Sequence, residues 1–371
     1  METIRVLQAV THMNRGGLET MLMNYYRNVD RDRVQFDFLT HRSEKKDYDD
    51  EILALGSRIF HLPALNPVSP VYLRALNSFF ASHPEYRIVH SHLDCMSGVV
   101  LKSAMKHGVP VRIAHSHTTF VNSGIGKSIK LAYKKSIPRY ATQLFACSEQ
   151  AGRFMFGNER FYIFKNALDT SRFAFSPADR ERIRTQYDLR DDTVIGHVGS
   201  FSEPKNHPFI IDVFAQYLKL DPSAHLLLVG NGEAGQSIAE KVNRLGIADR
   251  VILTGVRNDI PALLSAFDVF LFPSLFEGFP VSLIEAQTSG LKCFASDAIT
   301  SEAVLTDTVT MLPLSMSKAE WAKLIKASLP YERRSHASEI AACGYDIKQA
   351  ASELEEGYIR LWEGTERVEN E

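Results

Sequence analysis

Residues 268–285 read DVFLFPSLFEGFPVSLIE and divide into three pieces. The apolar run at the start predicts a buried strand. A loop carrying Glu277 and Gly278 follows at its carboxyl end. Pro280 suits the first turn of a helix, VSLIEAQTSG, that stops at Gly290. Strand, loop and helix in this order are one unit of a parallel α/β layer.

The same alternation runs outward in both directions. Upstream, the strand candidates are IRVLQAV (4–10), VQFDFLT (34–40), RIFHL (58–62), RIVHSH (87–92), VRIAHSH (111–117), QLFACS (143–148) and FYIFKN (161–166). A polar stretch near 167–175 separates them from a second set: TVIGHVGS (193–200), HLLLVG (225–230), RVILTG (250–255), DVFLFPS (268–274) and KCFASD (292–297). Helical spacing lies between, as in HPFIIDVFAQYLKL (207–220) and IPALLSAF (260–267). The expectation is two Rossmann-like domains in tandem. Ligands in such sheets bind at the carboxyl ends of the strands, so a cleft between two facing sheets is the place to look.

Bulk properties agree. A chain of 371 residues accommodates two domains, and 45% hydrophobic residues supply ample core. The cysteines Cys95, Cys147, Cys293 and Cys343 stand singly, a pattern of reduced thiols and not of a disulfide framework. No basic-then-apolar leader opens the sequence and no long apolar run follows, so a cytoplasmic protein is expected. Net charge is −2, yet residues 1–170 carry +7 and residues 171–371 carry −9. Between Asp94 and Glu149 eight basic residues occur and no acidic one. This front half predicts a positive face toward something anionic.

Several strand ends carry chemistry. NRGGLET (14–20) opens a helix with Gly16 and Gly17, which leave backbone amides approachable by an anion or simply make a tight turn. In GSFSEPKNHP (199–208), Lys205 stands just before a helix start marked by Asn206 and Pro208 and could neutralise a phosphate. VGNGEAG (229–235) matches G-x-G-x-x-G, but its acidic partner Asp249 precedes the next strand, where a dinucleotide site needs it after. His90/His92 and His115/His117 share a face in pairs, which suits a metal by spacing alone. No cysteine or carboxylate cluster accompanies them. Polar-ligand binding at a strand end, or packed histidines at His90 and His115, are the other readings. Lys127, Lys130 and Lys134 line one helical face, as a solvated surface or as an anionic-membrane contact. Nothing in the chain reads nucleic acid.

Glu277 in the loop and Glu285 about two turns into the helix cannot act on one atom. Their separation suits a sugar and its nucleotide ribose, with free amides at Gly278, Phe279 and Val281 between them for a diphosphate.

Taken together, these residues resemble retaining glycosyltransferases of family 4, which have the GT-B fold. The family mark, Glu-x7-Glu, is Glu277 to Glu285. RGGLET, AHSHT (114–118), FACSEQ (145–149), FKNALD (164–169), VGSFSEPKNH, LLLVGNGE, TGVRNDIP (254–261) and SGLKCFASD (289–297) extend the resemblance over nearly the whole chain. The wording is most similar to the subgroup that assembles capsular and extracellular polysaccharides. The resemblance implies α/β architecture with two Rossmann-like domains facing across a cleft. An acceptor-binding domain would span 1–168, completed by a C-terminal helix at about 348–371, and a donor-binding domain 169–347.

It further implies transfer, with retention, of a sugar from a nucleotide diphosphate sugar (a UDP-sugar favoured) to a glycan or lipid-linked acceptor hydroxyl, with no metal and no other cofactor. Glu277 would contact the donor sugar, Glu285 the ribose and Lys205 the diphosphate. His117 would lie near the transferred sugar. Gly16 and Gly17 would face the donor phosphates. Gly199 and Ser200 would border that site, as would Gly278, Phe279, Pro280 and Val281. Backbone at Val256 and Arg257 would line the base slot. Residues 127–139 would attach the protein peripherally to the inner membrane face. One position departs from the family: the arginine that usually follows the strand glycine is Ser200. It motivates an alternative, a catalytically weak nucleotide-binding scaffold.

Overall fold

The computed structural model describes residues 3–121 and 126–370, and the side chains of these up to residue 365. Met1, Glu2 and Glu371, at the ends of the expected domains, lie outside the described residues. The chain forms two compact units, Met1–Leu168 with Gly344–Glu371, and Asp169–Cys343.

The first unit is built on seven parallel strands: β1 (Ile4–Val10), β2 (Val34–Thr40), β3 (Ile59–His61), β4 (Ile88–Ser91), β5 (Val111–Ser116), β6 (Gln143–Ala146) and β7 (Tyr162–Ile163). Their spatial order is β3-β2-β1-β4-β5-β6-β7. The chain starts in mid-sheet, winds outward to β3, then returns to the other flank of β1 at β4. Where that winding reverses, the loops leaving β1 and β4 diverge and open a crevice. The helix Ile347–Asn370 belongs to this unit. Ile347, Ala351, Leu354 and Tyr358 recur at spacings that place them on one stripe. That stripe is buried in a core with Tyr25, Tyr26 and Phe36.

The second unit repeats the plan with six strands: β8 (Val194–Val198), β9 (His225–Val229), β10 (Val251–Gly255), β11 (Val269–Phe272), β12 (Lys292–Ser296) and β13 (Val309–Leu312). The order is β10-β9-β8-β11-β12-β13, all parallel, with the reversal between β8 and β11. All four residues of β11 are buried, as its apolar run predicts for a strand covered on both faces. Gly196 sits mid-strand because the Phe267 ring fills its side-chain space; a Cβ there would lie 2.0 Å from the ring. Every expected strand is present, β1 and β2 with the expected bounds and the others with shorter ends. FYIFKN contributes two paired residues and RIFHL three. The edge strand β13 has no counterpart in the sequence reading, since TVTML is brief and half-exposed. Among the described residues no helix is long and apolar enough to cross a membrane.

Candidate functional site

In the second unit the crevice at the sheet's reversal lies between the loop after β8 and the loop after β11. Three bonds hold these loops together. The Leu275 amide donates to Pro204 O at 2.8 Å, and Asn206 Nδ2 donates to Pro273 O at 3.1 Å. Between them Lys205 Nζ donates to Glu277 Oε1 at 2.7 Å, with only 18% and 12% of the two side chains exposed. Lys205 also stands 5.0 Å above the Phe272 ring. Asn206 does mark the helix start at His207, through a left-handed backbone (φ 55°) and not a side-chain cap, and its Nδ2 donates instead to Pro273 O. The lysine and the first glutamate of the Glu-x7-Glu pair are thus one ion pair at the strand ends.

The second glutamate lies one turn further on. The helix is Val281–Thr288, so Glu285 is its fifth residue and stands about one turn from the start, not two. Burial pushes its carboxyl up to about 7, against the opposing positive charges of Arg172 and Lys205. The expectation of free amides fails at Val281, whose N–H donates to Phe279 O at 3.1 Å. Pro280 (φ −84°, ψ 80°) makes an inverse γ-turn, which closes that i to i+2 bond. Gly278 and Phe279 are not without partners either. Ser200 leaves no cation at its position; its hydroxyl pairs with that of Ser202 at 2.9 Å. Val256 is exposed at the end of β10, whereas the Arg257 guanidinium is held by both oxygens of Asp259 at 2.8 Å.

The G-x-G-x-x-G stretch serves packing. Gly230 (φ 137°) and Gly232 (φ 155°) press against the loop after β8, where a Cβ would lie 2.1 Å from Gly199 O and 2.5 Å from Phe201 O. The Phe201 amide donates to Asn231 O at 2.7 Å. These glycines fix the loop that carries Ser200 and Lys205. They follow the sheet's second strand, as the rejection of a dinucleotide site requires.

In the first unit the corresponding crevice lies between the loops after β1 and β4. Gly17 has open space above its Cα, as expected, but Gly16 does not: the Glu19 carboxyl lies over it. The four histidines on β4, β5 and their ends form a chain. His90 Nε2 is 3.2 Å from His115 Nδ1, and His92 Nδ1 is 2.9 Å from His117 Nε2. Gln8 joins the two halves. Its Nε2 donates to the Tyr358 hydroxyl at 3.3 Å and its Oε1 accepts from His92 Nε2 at 2.9 Å. Tyr358 in turn donates to His90 Nδ1 at 2.7 Å. Following the protons, His92 Nδ1 is an acceptor and His117 donates to it from Nε2. The His117 Nδ1 is then a buried lone pair without a partner. Burial holds the His117 ring down to about 3 and the other three well below their ordinary value, so the network is neutral. His90, His92 and His115 bring nitrogens within 4.8 Å of one another, a spacing that a metal could span, but hydrogen bonds already join His90 to His115 and His92 to Gln8 and His117. The buried Asp94 carboxyl, pushed up to about 6, accepts the His117 amide at 2.8 Å.

The profile described as Glycosyltransferase Family 4 matches residues 15–172, and that described as Glycosyl transferases group 1 matches residues 192–329. EpsF of Bacillus subtilis (strain 168), named as a glycosyltransferase, is 38% identical over 365 residues, covering 94% of this chain and 95% of that protein. This chain belongs to glycosyltransferase family 4. CapH of Staphylococcus aureus, a capsular polysaccharide biosynthesis glycosyltransferase, is 25% identical over 96% of the family 4 chain and 99% of its own length. Among solved structures, Anabaena HepE in complex with UDP superposes with a TM-score of 0.79 at 18% identity, covering 96% of this chain and 100% of that one. The fold is therefore GT-B.

Two features of the family 4 chain differ from the sequence reading. On the helix Lys127–Tyr140, Lys127 and Lys130 are exposed. Lys134 instead turns inward, donating to Phe154 O and standing 4.3 Å above the Phe154 ring. The basic face is therefore smaller than spacing suggests. The sequence reading does not single out His197 and His207, whose rings stand 5.0 Å apart and which burial, aided by the Lys205 charge, holds neutral. A Cβ on Gly199 would lie 3.0 Å from His197 Nε2 and 3.3 Å from the Lys205 stem. Their signal was positional: one histidine near a strand end, one at a helix start, flanking the same loop.

Proposed function

We propose that this chain transfers a sugar, with retention of configuration, from a nucleotide diphosphate sugar to an acceptor hydroxyl in the synthesis of an extracellular or capsular polysaccharide. The observation that carries it is the Lys205–Glu277 pair at the reversal point of the second sheet, where a ligand of this architecture binds. On a donor's arrival Lys205 turns to the diphosphate, and Glu277 is released to accept from the sugar hydroxyls. Glu285 accepts from the ribose, and backbone at Val256 and Arg257 borders the base. The departing phosphate takes the acceptor's proton, so a fixed cation stabilises the leaving group without a metal.

The second unit holds the donor in this reading and the first the acceptor. A UDP donor is supported by HepE, crystallised with UDP and with UDP-glucose. It is supported too by an Escherichia coli UDP-Gal:alpha-D-GlcNAc-diphosphoundecaprenol alpha-1,3-galactosyltransferase, 30% identical over 57% of this chain and 58% of that one. That relative's acceptor makes a lipid-linked sugar the natural choice here. Incubation with a panel of nucleotide sugars, with and without lipid-linked acceptor, will release free nucleotide for one donor. No turnover with any donor, alongside tight nucleotide binding, would leave the scaffold reading.

Peripheral attachment to the cytoplasmic membrane face through residues 127–139 belongs to the same proposal. Binding to phosphatidylglycerol vesicles will weaken with salt and fall when Lys127 and Lys130 become glutamine. Replacing Lys134, already held by Phe154, will change it little. Partitioning indifferent to salt and to both substitutions removes the membrane contact.

A further inference from the structure

The carboxyl over Gly16 sits where the sequence reading expects donor phosphate. Glu19 is 8% exposed, on the first turn of the helix Gly17–Asn28. A Cβ on Gly16 would come within 2.3 Å of its Oε2, so the glycine is needed to admit the carboxyl. The other oxygen, Oε1, is 3.3 Å from His12 Nδ1, on a ring about one-third exposed. The same nitrogen faces the Asn14 amide, which donates to it at 3.4 Å. Nδ1 is therefore the unprotonated nitrogen, and a hydrogen bond between the two side chains requires the proton to come from Glu19 as a carboxylic acid. Burial raises the Glu19 carboxyl to about 7. It also lowers His12, with help from Lys46 and Arg42 against Asp47, which favours the neutral ring, and the carboxyl is protonated below about pH 7.

A neutral pair of this kind offers an acceptor, Glu19 Oε2, and a donor, His12 Nε2–H. It stands beside the crevice between the loops after β1 and β4. A diphosphate brought there would meet an acidic carboxyl in place of bare amides, whereas a hydroxyl can both donate to Oε2 and accept from Nε2–H. We propose that Glu19 and His12 form a recognition site for the hydroxyls of a neutral sugar on the acceptor side. This deepens the reading of the chain as a transferase to a sugar hydroxyl and rests on it.

The test uses the whole chain and, as probes, the methyl glycosides of glucose, galactose, mannose and N-acetylglucosamine, read by saturation-transfer NMR at pH 6 and pH 8. At least one will bind the unaltered protein at pH 6 and bind about tenfold more weakly at pH 8, where loss of the Glu19 proton leaves Oε1 and Nδ1 facing each other as two acceptors 3.3 Å apart and parts the pair. Glu19→Gln, whose amide can donate to Nδ1 and does not ionise, will bind at both pH values. Glu19→Ala will bind at neither. UDP affinity, measured on the same samples, will be unchanged and reports that the variants are folded. Lack of binding by every glycoside, undiminished binding by Glu19→Ala, or a Glu19→Gln profile that still falls at pH 8 overturns the proposal. Failure of the transferase reading shows elsewhere, as absence of UDP binding or of its dependence on Lys205.

Discussion

Lys205→Ala will lower turnover of the donor sugar by a hundredfold to a thousandfold, about 3–4 kcal/mol, the cost of removing one fixed stabiliser of developing charge. The effect is large because Ser200 supplies no guanidinium and Arg257 is held by Asp259, so little else on these loops can replace the lysine. The same substitution will destabilise the unit by about 3 kcal/mol or more, since Glu277 is left nearly buried without its cation. These two losses separate in a double variant. Lys205→Met with Glu277→Gln removes both charges, so stability returns in large part while turnover does not. Thermal unfolding together with nucleotide release checks both halves. A Lys205→Ala enzyme that turns over normally would remove the lysine from the site.

Glu285→Gln is expected to raise stability and lower donor affinity together. The folded-state carboxyl titrates near 7, above the ordinary 4.5. A raised carboxyl contributes stability below its unfolded value and loses it as pH climbs through the folded one. The variant, which never ionises, will match the unaltered protein at pH 4 and exceed it at pH 8 by about 1–3 kcal/mol, up to the full shift. UDP will bind it tenfold to a hundredfold more weakly, about 1.5–3 kcal/mol, through loss of a charged acceptor for the ribose. A residue whose replacement stabilises the fold and weakens the ligand is held there for function. Unfolding by calorimetry at the two pH values and a UDP titration decide it. A variant no more stable at pH 8, with UDP affinity intact, would return Glu285 to an ordinary helix position.

The fold could be read from the sequence because parallel strands buried on both faces announce themselves. VFLF on β11 and LLLV on β9 are apolar at every position. β13, at the sheet's edge and half wet, carries no such run. At the site, residue types and order were legible, and partners were not. Spacing located Glu277 and Lys205 on separate loops 72 positions apart but said nothing of the bond between them. The amide at Val281 looked available until the turn at Pro280 took it. Lys134 followed the helical stripe of Lys127 and Lys130, and a ring from the following helix drew it inward. Gly16 misled, because the Glu19 carboxyl fills the space over it. Gly230 and Gly232 imitate a nucleotide fingerprint because close backbone contact needs the same residue as a phosphate does.

The returning helix has a consequence for the order in which the molecule is made. Tyr358, which closes the histidine chain through His90 and Gln8, leaves the ribosome 195 residues after the last strand of its own sheet ends at Ile163. At about 5–20 residues per second, that is an interval of roughly 10–40 s. Throughout it the first-made unit has an uncovered face and an unterminated polar network, and the unit synthesised later is whole before that face is covered. The part of the chain born first is thus the last to be finished.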